Sequence, residues 1–248
     1  MHLRLFVFHH AGGSHLMYRD WPALFPADWQ VRIPDAPGRG MLTLAEPIED
    51  ATALARHFLQ ELDGELTGRF AFFGHSLGST TAYELTRLLL AEDRTPPVWI
   101  GLSGRAAPRP DGTGRTFRHL LPDAELRRHI AGLGGTPSAV LDEPELWELL
   151  APAIRSDLKV SETWNPEWPP TPLPVPLSLF GGRDDGASPP WTLAPWSKAS
   201  EHFLGLHLFD GGHFYFLDDP APLAALITRE AVRAEHMGSA SGAGAPAQ

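Results

Sequence analysis

The sequence predicts an α/β protein: one mainly parallel sheet with helices on both faces and a helical insertion over one sheet edge. Three observations lead there. Short runs rich in β-branched and aromatic residues alternate with longer stretches of helical periodicity. Parallel neighbours need such crossovers, and sheets built that way are buried on both faces. Between about Arg105 and Pro176 the alternation stops, and a Pro- and Trp-rich stretch with no clear strand pattern takes its place.

Leu3–Phe8 reads as a buried strand running into the turn-rich His9–Ser14, with a short helix around Tyr18–Phe25 and a strand near Trp29–Ile33. The loop Asp35–Gly40 leads to a helix from about Asp50 to Leu62, where Leu54, Phe58, Leu59 and Leu62 recur at helical spacing. Phe70–Gly74 is the next strand, followed at once by a helix from Ser76 to about Leu90, and then by strand Val98–Leu102. The stretch at about 105–175 reads as two or three helices, a lid over the carboxyl ends of the strands that shields a reaction from water. Strand Val175–Phe180, helix Trp191–Ser200, strand Leu206–Phe209 and helix Ala221–Ala234 complete the pattern. A single domain over 1–236 is expected. The Gly/Ala/Ser/Pro string at 237–248 has nothing to bury and is expected to be disordered.

Composition narrows the functions. The chain has 248 residues, 43% of them hydrophobic, which is ample for one core and excludes global disorder. Cysteine is absent, so thiol nucleophiles, disulfides, iron–sulfur clusters and Cys-based zinc sites are excluded. A formal charge of −10 disfavours binding to nucleic acid or to anionic lipid. The apolar run before His9 is too short for a signal-peptide core, and no segment reaches the roughly 20 apolar residues of a membrane span. A cytoplasmic protein is expected, and with no heptad seam, a monomer. One stretch runs against the overall charge. From Gly104 to Ile130, Arg105, Arg109, Arg115, Arg118, Arg127 and Arg128 face only Asp111, Asp123 and Glu125, a local +3. It reads either as a solvated helical face or as a dock for an acidic partner.

The sharpest chemical signal is Gly74-His75-Ser76-Leu77-Gly78, a G-x-S-x-G between a strand and a helix. A sharp turn there exposes the serine in a strained conformation at a helix N-terminus, where backbone N–H groups favour developing negative charge. Out of that context, the pentapeptide is only a tight turn with a capping serine. A serine nucleophile needs a base, and His213 after Asp210-Gly211-Gly212 follows the last predicted strand, on the same sheet edge. The orienting acid should follow the preceding strand, where Asp184 and Asp185 are both available. Leu77, directly after the serine, and Ala11, in the Ala11-Gly12-Gly13 loop after the first strand, are the expected backbone donors to an oxyanion. His9, His10 and His15 come without the H-E-x-x-H spacing or a carboxylate cluster, so no metal is expected. The eight tryptophans read chiefly as packing, with Trp147, Trp164 and Trp168 as candidate walls of an acyl channel.

Together, Phe8-His9-His10-Ala11-Gly12-Gly13-Ser14, Pro37-Gly38-Arg39, the G-x-S-x-G, Gly182-Arg183-Asp184-Asp185 and Gly211-Gly212-His213-Phe214 resemble the type II thioesterases. These are discrete α/β hydrolases that accompany polyketide and nonribosomal peptide synthases. The resemblance runs from Leu3 to about Arg233 with the motifs in the family's order. It implies an α/β-hydrolase fold, a Ser76–Asp185–His213 triad, and oxyanion donors Ala11 and Leu77. It also implies hydrolysis, with no cofactor, of acyl groups stalled on the phosphopantetheine arm of an acyl or peptidyl carrier protein. The chain departs from the family's pattern at His9 and His10, where Pro and an aromatic are usual, and at Gly40, where Glu is usual. A general carboxylesterase, an acyltransferase and a silent hydrolase-like binding module are the competing readings.

Overall fold

The structure is a computed structural model that describes residues 2–109, 116–136 and 138–242. Six strands form one sheet: β1 (Leu3–Phe8), β2 (Trp29–Arg32), β3 (Phe70–His75), β4 (Ile100–Ser103), β5 (Leu177–Gly182) and β6 (Phe203–Phe209). Their order is β2-β1-β3-β4-β5-β6 and every pair is parallel. After β2 the chain crosses back over β1 to lay β3 on its other side. The loops leaving β1 and β3 therefore diverge, and the crevice at their carboxyl ends is where such sheets bind ligands.

The strand sequences explain the two-sided burial. Phe6, Phe8, Phe70 and Phe72 face one way and pack with Leu54, Phe58, Tyr83 and Leu89. Those partners lie on α1 (Ala51–Glu61) and α2 (Leu77–Ala91). The alternate residues Leu5, Val7, Ala71 and Phe73 pack with Tyr18, Trp21, Trp99 and Ile227 on the opposite face. Each fully buried Leu, Val, Ile or Phe among them contributes about 1.5–3 kcal/mol relative to exposure. The α1 start is set by Asp50, whose carboxylate accepts the Ala53 N–H at 2.8 Å. Residues Leu77–Thr86 of α2 are all buried, because the sheet and neighbouring helices enclose that end of the helix.

The insertion between β4 and β5 holds α3 (Asp123–Leu133), α4 (Ser138–Asp142) and the long α5 (Pro144–Thr163). It has its own core of Leu126, Ile130, Trp147, Ala151, Ile154 and Leu158. Beyond β5, α6 (Pro190–Leu193) is one helical turn that continues as 3₁₀ over Ala194–Ala199, where the periodicity suggests a single helix. The segment near Tyr18–Phe25 likewise resolves into two 3₁₀ turns, His15–Tyr18 and Trp21–Leu24. The last helix, α7 (Ala221–Gly242), runs past Ala234 into the segment expected to be disordered from Met237. Adding turns to an existing helix needs no new nucleus, so weak helix formers there can be carried along. Residues 243–248 lie outside the described residues, as do Asp111 and Arg115 of the Arg-rich stretch.

Candidate active site

The turn after β3 has the strain its sequence implies. Ser76 sits at φ 55°, ψ −111°, a conformation that a residue with a Cβ rarely adopts, and it makes no side-chain capping bond to α2. Both flanking glycines are required by close approach. A Cβ on Gly74 would stand 2.0 Å from the Gly78 carbonyl oxygen, and one on Gly78 would stand 2.0 Å from that of Phe8. The turn is tied to β4: the Ser76 N–H donates to the Ser103 carbonyl at 2.8 Å. Ser79 Oγ accepts the Ser103 N–H at 2.9 Å, and lies 2.8 Å from the Gly74 carbonyl oxygen.

His213, buried after β6, donates from Nδ1 to Asp185 Oδ2 at 2.8 Å. Asp185 Oδ1 accepts the N–H groups of Ala187 and Ser188 at 2.8 and 2.9 Å. Burial opposes ionisation of Asp185. The bond to His213, that ring's charge and the two backbone donors outweigh it, holding the carboxyl below its usual range. The neighbouring Asp184 is exposed, so the buried acid facing the imidazole is Asp185.

Ser76 and His213 open into one cavity of about 120 Å³. Ala11 lines its β1 side, and Ile130, Leu133 and Leu158 of the insertion form an apolar wall. The β1 loop is a tight turn: the Gly13 N–H donates to the His10 carbonyl at 2.9 Å. Gly12 holds φ 76°, the left-handed position that a type II turn demands of its third residue. Leu77 opens α2, so its backbone N–H is among those left without a partner inside the helix. The cavity continues into an outer groove of about 370 Å³ that shares Arg105, Arg118 and Glu162 with it and adds Arg109 and the exposed Trp191.

Several side chains play parts that their types alone do not announce. His75, the second residue of the motif, lies 4.8 Å from the His213 ring. Its Nδ1 meets Ser103 Oγ at 2.8 Å, which in turn meets Tyr215 Oη at 2.8 Å. Burial and then the nearby histidines push His10 and His75 well below the ordinary imidazole range; burial and Arg39 lower His9 to about 4. These rings are thus neutral packing and hydrogen-bonding groups. His9 Nε2 accepts the Ala36 N–H, His10 packs edge-on against Phe214, and His15 pairs with Asp35 at 2.6 Å. Asp35 also fills the space beside Gly40 that a side chain would need. Among the described residues, no group of three His, Asp or Glu is arranged to hold a metal ion.

The tryptophans resolve as packing. Trp147 lies in the core of the insertion under the Arg127 guanidinium, while Trp164 stacks on Trp196 and Trp168 meets Trp196 edge-on. None of the three lines the cavity at Ser76, although Trp164 borders the outer groove. The arginines divide. Arg105 is half-buried against Trp164, where the enclosed guanidinium is lowered to about 10, and Arg127 is held by Trp147, whereas Arg109 and Arg128 are exposed.

A parallel six-stranded sheet, a strained serine turn after β3 and a helical insertion above it make this an α/β-hydrolase fold. The thioesterase-domain family model matches residues 3–230, and the chain belongs to the thioesterase family. Relatives place it with the type II members. The thioesterase PikA5 of Streptomyces venezuelae is 33% identical over 220 residues, covering 87% of this chain and 76% of that protein. Among solved structures, RedJ, the thioesterase of the prodiginine pathway in Streptomyces coelicolor, is 30% identical with a TM-score of 0.84, covering 92% of this chain and 90% of its own. YbtT, the type II thioesterase of the yersiniabactin NRPS/PKS pathway, is 28% identical with a TM-score of 0.84 over 94% of each chain, and has been solved also with one serine replaced by alanine. The chain is accordingly an enzyme, a hydrolase of thioesters. Among the described residues, no helix is long and apolar enough to cross a membrane.

Proposed function

We propose that the protein hydrolyses acyl thioesters carried on the phosphopantetheine arm of acyl or peptidyl carrier proteins, clearing stalled or aberrant acyl groups from polyketide or nonribosomal peptide synthases. The observation that carries the chemistry is the strained Ser76 sharing one cavity with a His213 whose far nitrogen is bonded to buried Asp185. In this reading Ser76 Oγ attacks the thioester carbonyl while His213 Nε2 takes its proton. The tetrahedral oxyanion is held by the Ala11 and Leu77 N–H groups, worth about 2.7–4 kcal/mol for each donor. Collapse breaks the carbon–sulfur bond, and the proton on His213 passes to the departing pantetheine sulfur. Water then attacks the acyl-enzyme, with His213 as base, releasing the carboxylic acid and restoring Ser76. Asp185 keeps the Nδ1 proton in place and stabilises the imidazolium throughout.

The insertion acts as the lid, its Ile130, Leu133 and Leu158 seating the acyl chain away from water. The groove past Arg105, Arg109, Arg118 and Trp191 gives the pantetheine arm a route inward. The exposed Arg109 and Arg128 face the acidic carrier, and the enzyme works as a cytoplasmic monomer beside its synthase. The competing reading is a broad carboxylesterase on the same fold, which would use the same triad. The test compares kcat/KM for one short acyl group on a carrier protein, on free pantetheine and in an activated oxygen ester. Carrier preference by tenfold or more supports the proposal; equal values on all three support the esterase.

A further inference from the structure

Among the buried charged groups that the triad and the oxyanion donors leave unused, one lies beside the oxyanion loop. Asp157, on α5, is 1% exposed and lies against the β1 loop. Its Oδ2 accepts the Gly12 N–H at 2.7 Å, and its Oδ1 accepts from Arg39 Nη2 at 2.7 Å. A second guanidinium nitrogen, Arg39 Nη1, also bonds to Oδ2, so the pair is bidentate. Arg39 is itself buried, and Nη2 lies 3.3 Å from the Pro37 carbonyl oxygen in the Pro-Gly-Arg run. Three distant stretches of sequence thus meet at one carboxylate.

Stability is a poor reason for such a pair. A buried ion pair recovers little more than its desolvation penalty, and apolar residues of similar size often serve as well. What it adds here is direction. Type I and type II turns differ by rotation of the central peptide, which in the His10–Gly13 turn joins Ala11 to Gly12. The N–H of that peptide is the one Asp157 holds, so the carboxylate selects the type II arrangement. Resting on the reading of Ala11 as an oxyanion donor, we infer that Asp157 is a positioning residue: its carboxylate, braced by Arg39, locks the Ala11–Gly12 peptide so that the turn presents the Ala11 N–H to the reacting carbonyl. The lock also ties the loop to the lid. Ile154, one turn before Asp157, packs where a Gly12 Cβ would stand, and Leu158, the next residue, lines the cavity. The helix that walls the acyl chain therefore also sets the oxyanion loop.

Removing Asp157 alone strands a buried guanidinium, so the informative variant is Arg39→Met/Asp157→Leu, which removes both charges together. It is assayed on an acyl-pantetheine thioester beside Ser76→Ala, with the affinity of a trifluoromethyl ketone analogue that forms a tetrahedral adduct at the serine. A misplaced group in the reaction geometry costs up to about 10²-fold, so kcat should fall roughly 10- to 100-fold. KM should stay within about threefold, and analogue affinity should fall by the same factor as kcat/KM. An unchanged kcat overturns the inference, as does a parallel loss of KM, analogue affinity and thermal midpoint, which marks a structural pair only. Inactivity of Ser76→Ala with a fully active double variant sinks this inference alone. Activity retained by Ser76→Ala sinks the catalytic reading beneath it.

Discussion

Replacing Asp185 by Asn tests the proposed catalytic geometry at a single atom. The side chain is buried and nearly isosteric, so the fold should survive. Oδ1 of Asp185 accepts two backbone N–H groups, from Ala187 and Ser188. An Asn amide must therefore keep its oxygen there and turn its NH₂ toward His213. Nδ1 of His213, which donates to the carboxylate, would then have to accept. The imidazole proton moves to Nε2, and that nitrogen can no longer take the proton of Ser76. A triad locked in this wrong tautomer loses about 10⁴-fold in kcat, or about 5.4 kcal/mol of transition-state stabilisation at roughly 1.36 kcal/mol per decade. The assay is steady-state hydrolysis of an acyl-pantetheine thioester, with thermal unfolding to show that the variant is folded. Asp184→Asn is the control, since that carboxylate is exposed, and should stay within about twofold of the parent. A loss under tenfold for Asp185→Asn, or an equal loss for Asp184→Asn, would refute the reasoning.

Other outcomes follow from the same structure. Ala at Gly74 or Gly78 places a Cβ 2.0 Å from a carbonyl oxygen, so either change should destabilise by at least about 2 kcal/mol in denaturant melts and remove activity. Arg109→Glu/Arg128→Glu should raise KM for an acyl-carrier substrate by about fivefold or more, and leave the pantetheine thioester within about twofold. Arg127→Glu should instead lower the thermal midpoint and reduce activity on all substrates alike, because its guanidinium packs on the Trp147 ring. Stability should fall with acid. The folded-state values of His9, at about 4, and of His10 and His75 lie below the unfolded value near 6.5, so from pH 6.5 downward the unfolded chain takes up protons that the native one refuses. His9 alone removes about 1.4 kcal/mol per pH unit in that window, and His10 and His75 act in the same direction. Thermal midpoints should drop by at least about 3 °C from pH 6 to pH 5, and a flat profile would contradict the neutral assignment.

Much of this site was legible because its chemistry is local. The Gly74–Gly78 turn, the loop after β1 and His213 after the last strand are each read from a few adjacent residues, and a parallel sheet brings its strand ends together. Choosing between Asp184 and Asp185 required the third dimension. Adjacent residues on a turn point apart, and only the backbone donors at Ala187 and Ser188 distinguish the buried carboxylate. Asp157 was beyond sequence reasoning, since it lies 145 residues from Gly12 and looks like any acid on a helix. The one signal was Arg39 itself: a guanidinium in a loop of small residues and prolines, lacking a local acid beyond Asp35. None of Trp147, Trp164 and Trp168 lines the cavity at Ser76, because the Trp147 ring fills the insertion's own core and the other two pack on Trp196 of the main core, Trp164 bordering only the outer groove.

The most direct test is to trap the acyl-enzyme. The protein is mixed with an acyl-carrier thioester, quenched in acid within milliseconds, and analysed by intact and peptide mass spectrometry. The account predicts one acyl group, located on the peptide that contains Ser76, appearing before the steady state and absent from Ser76→Ala. An acyl group on another residue, or rapid hydrolysis by Ser76→Ala, would contradict it.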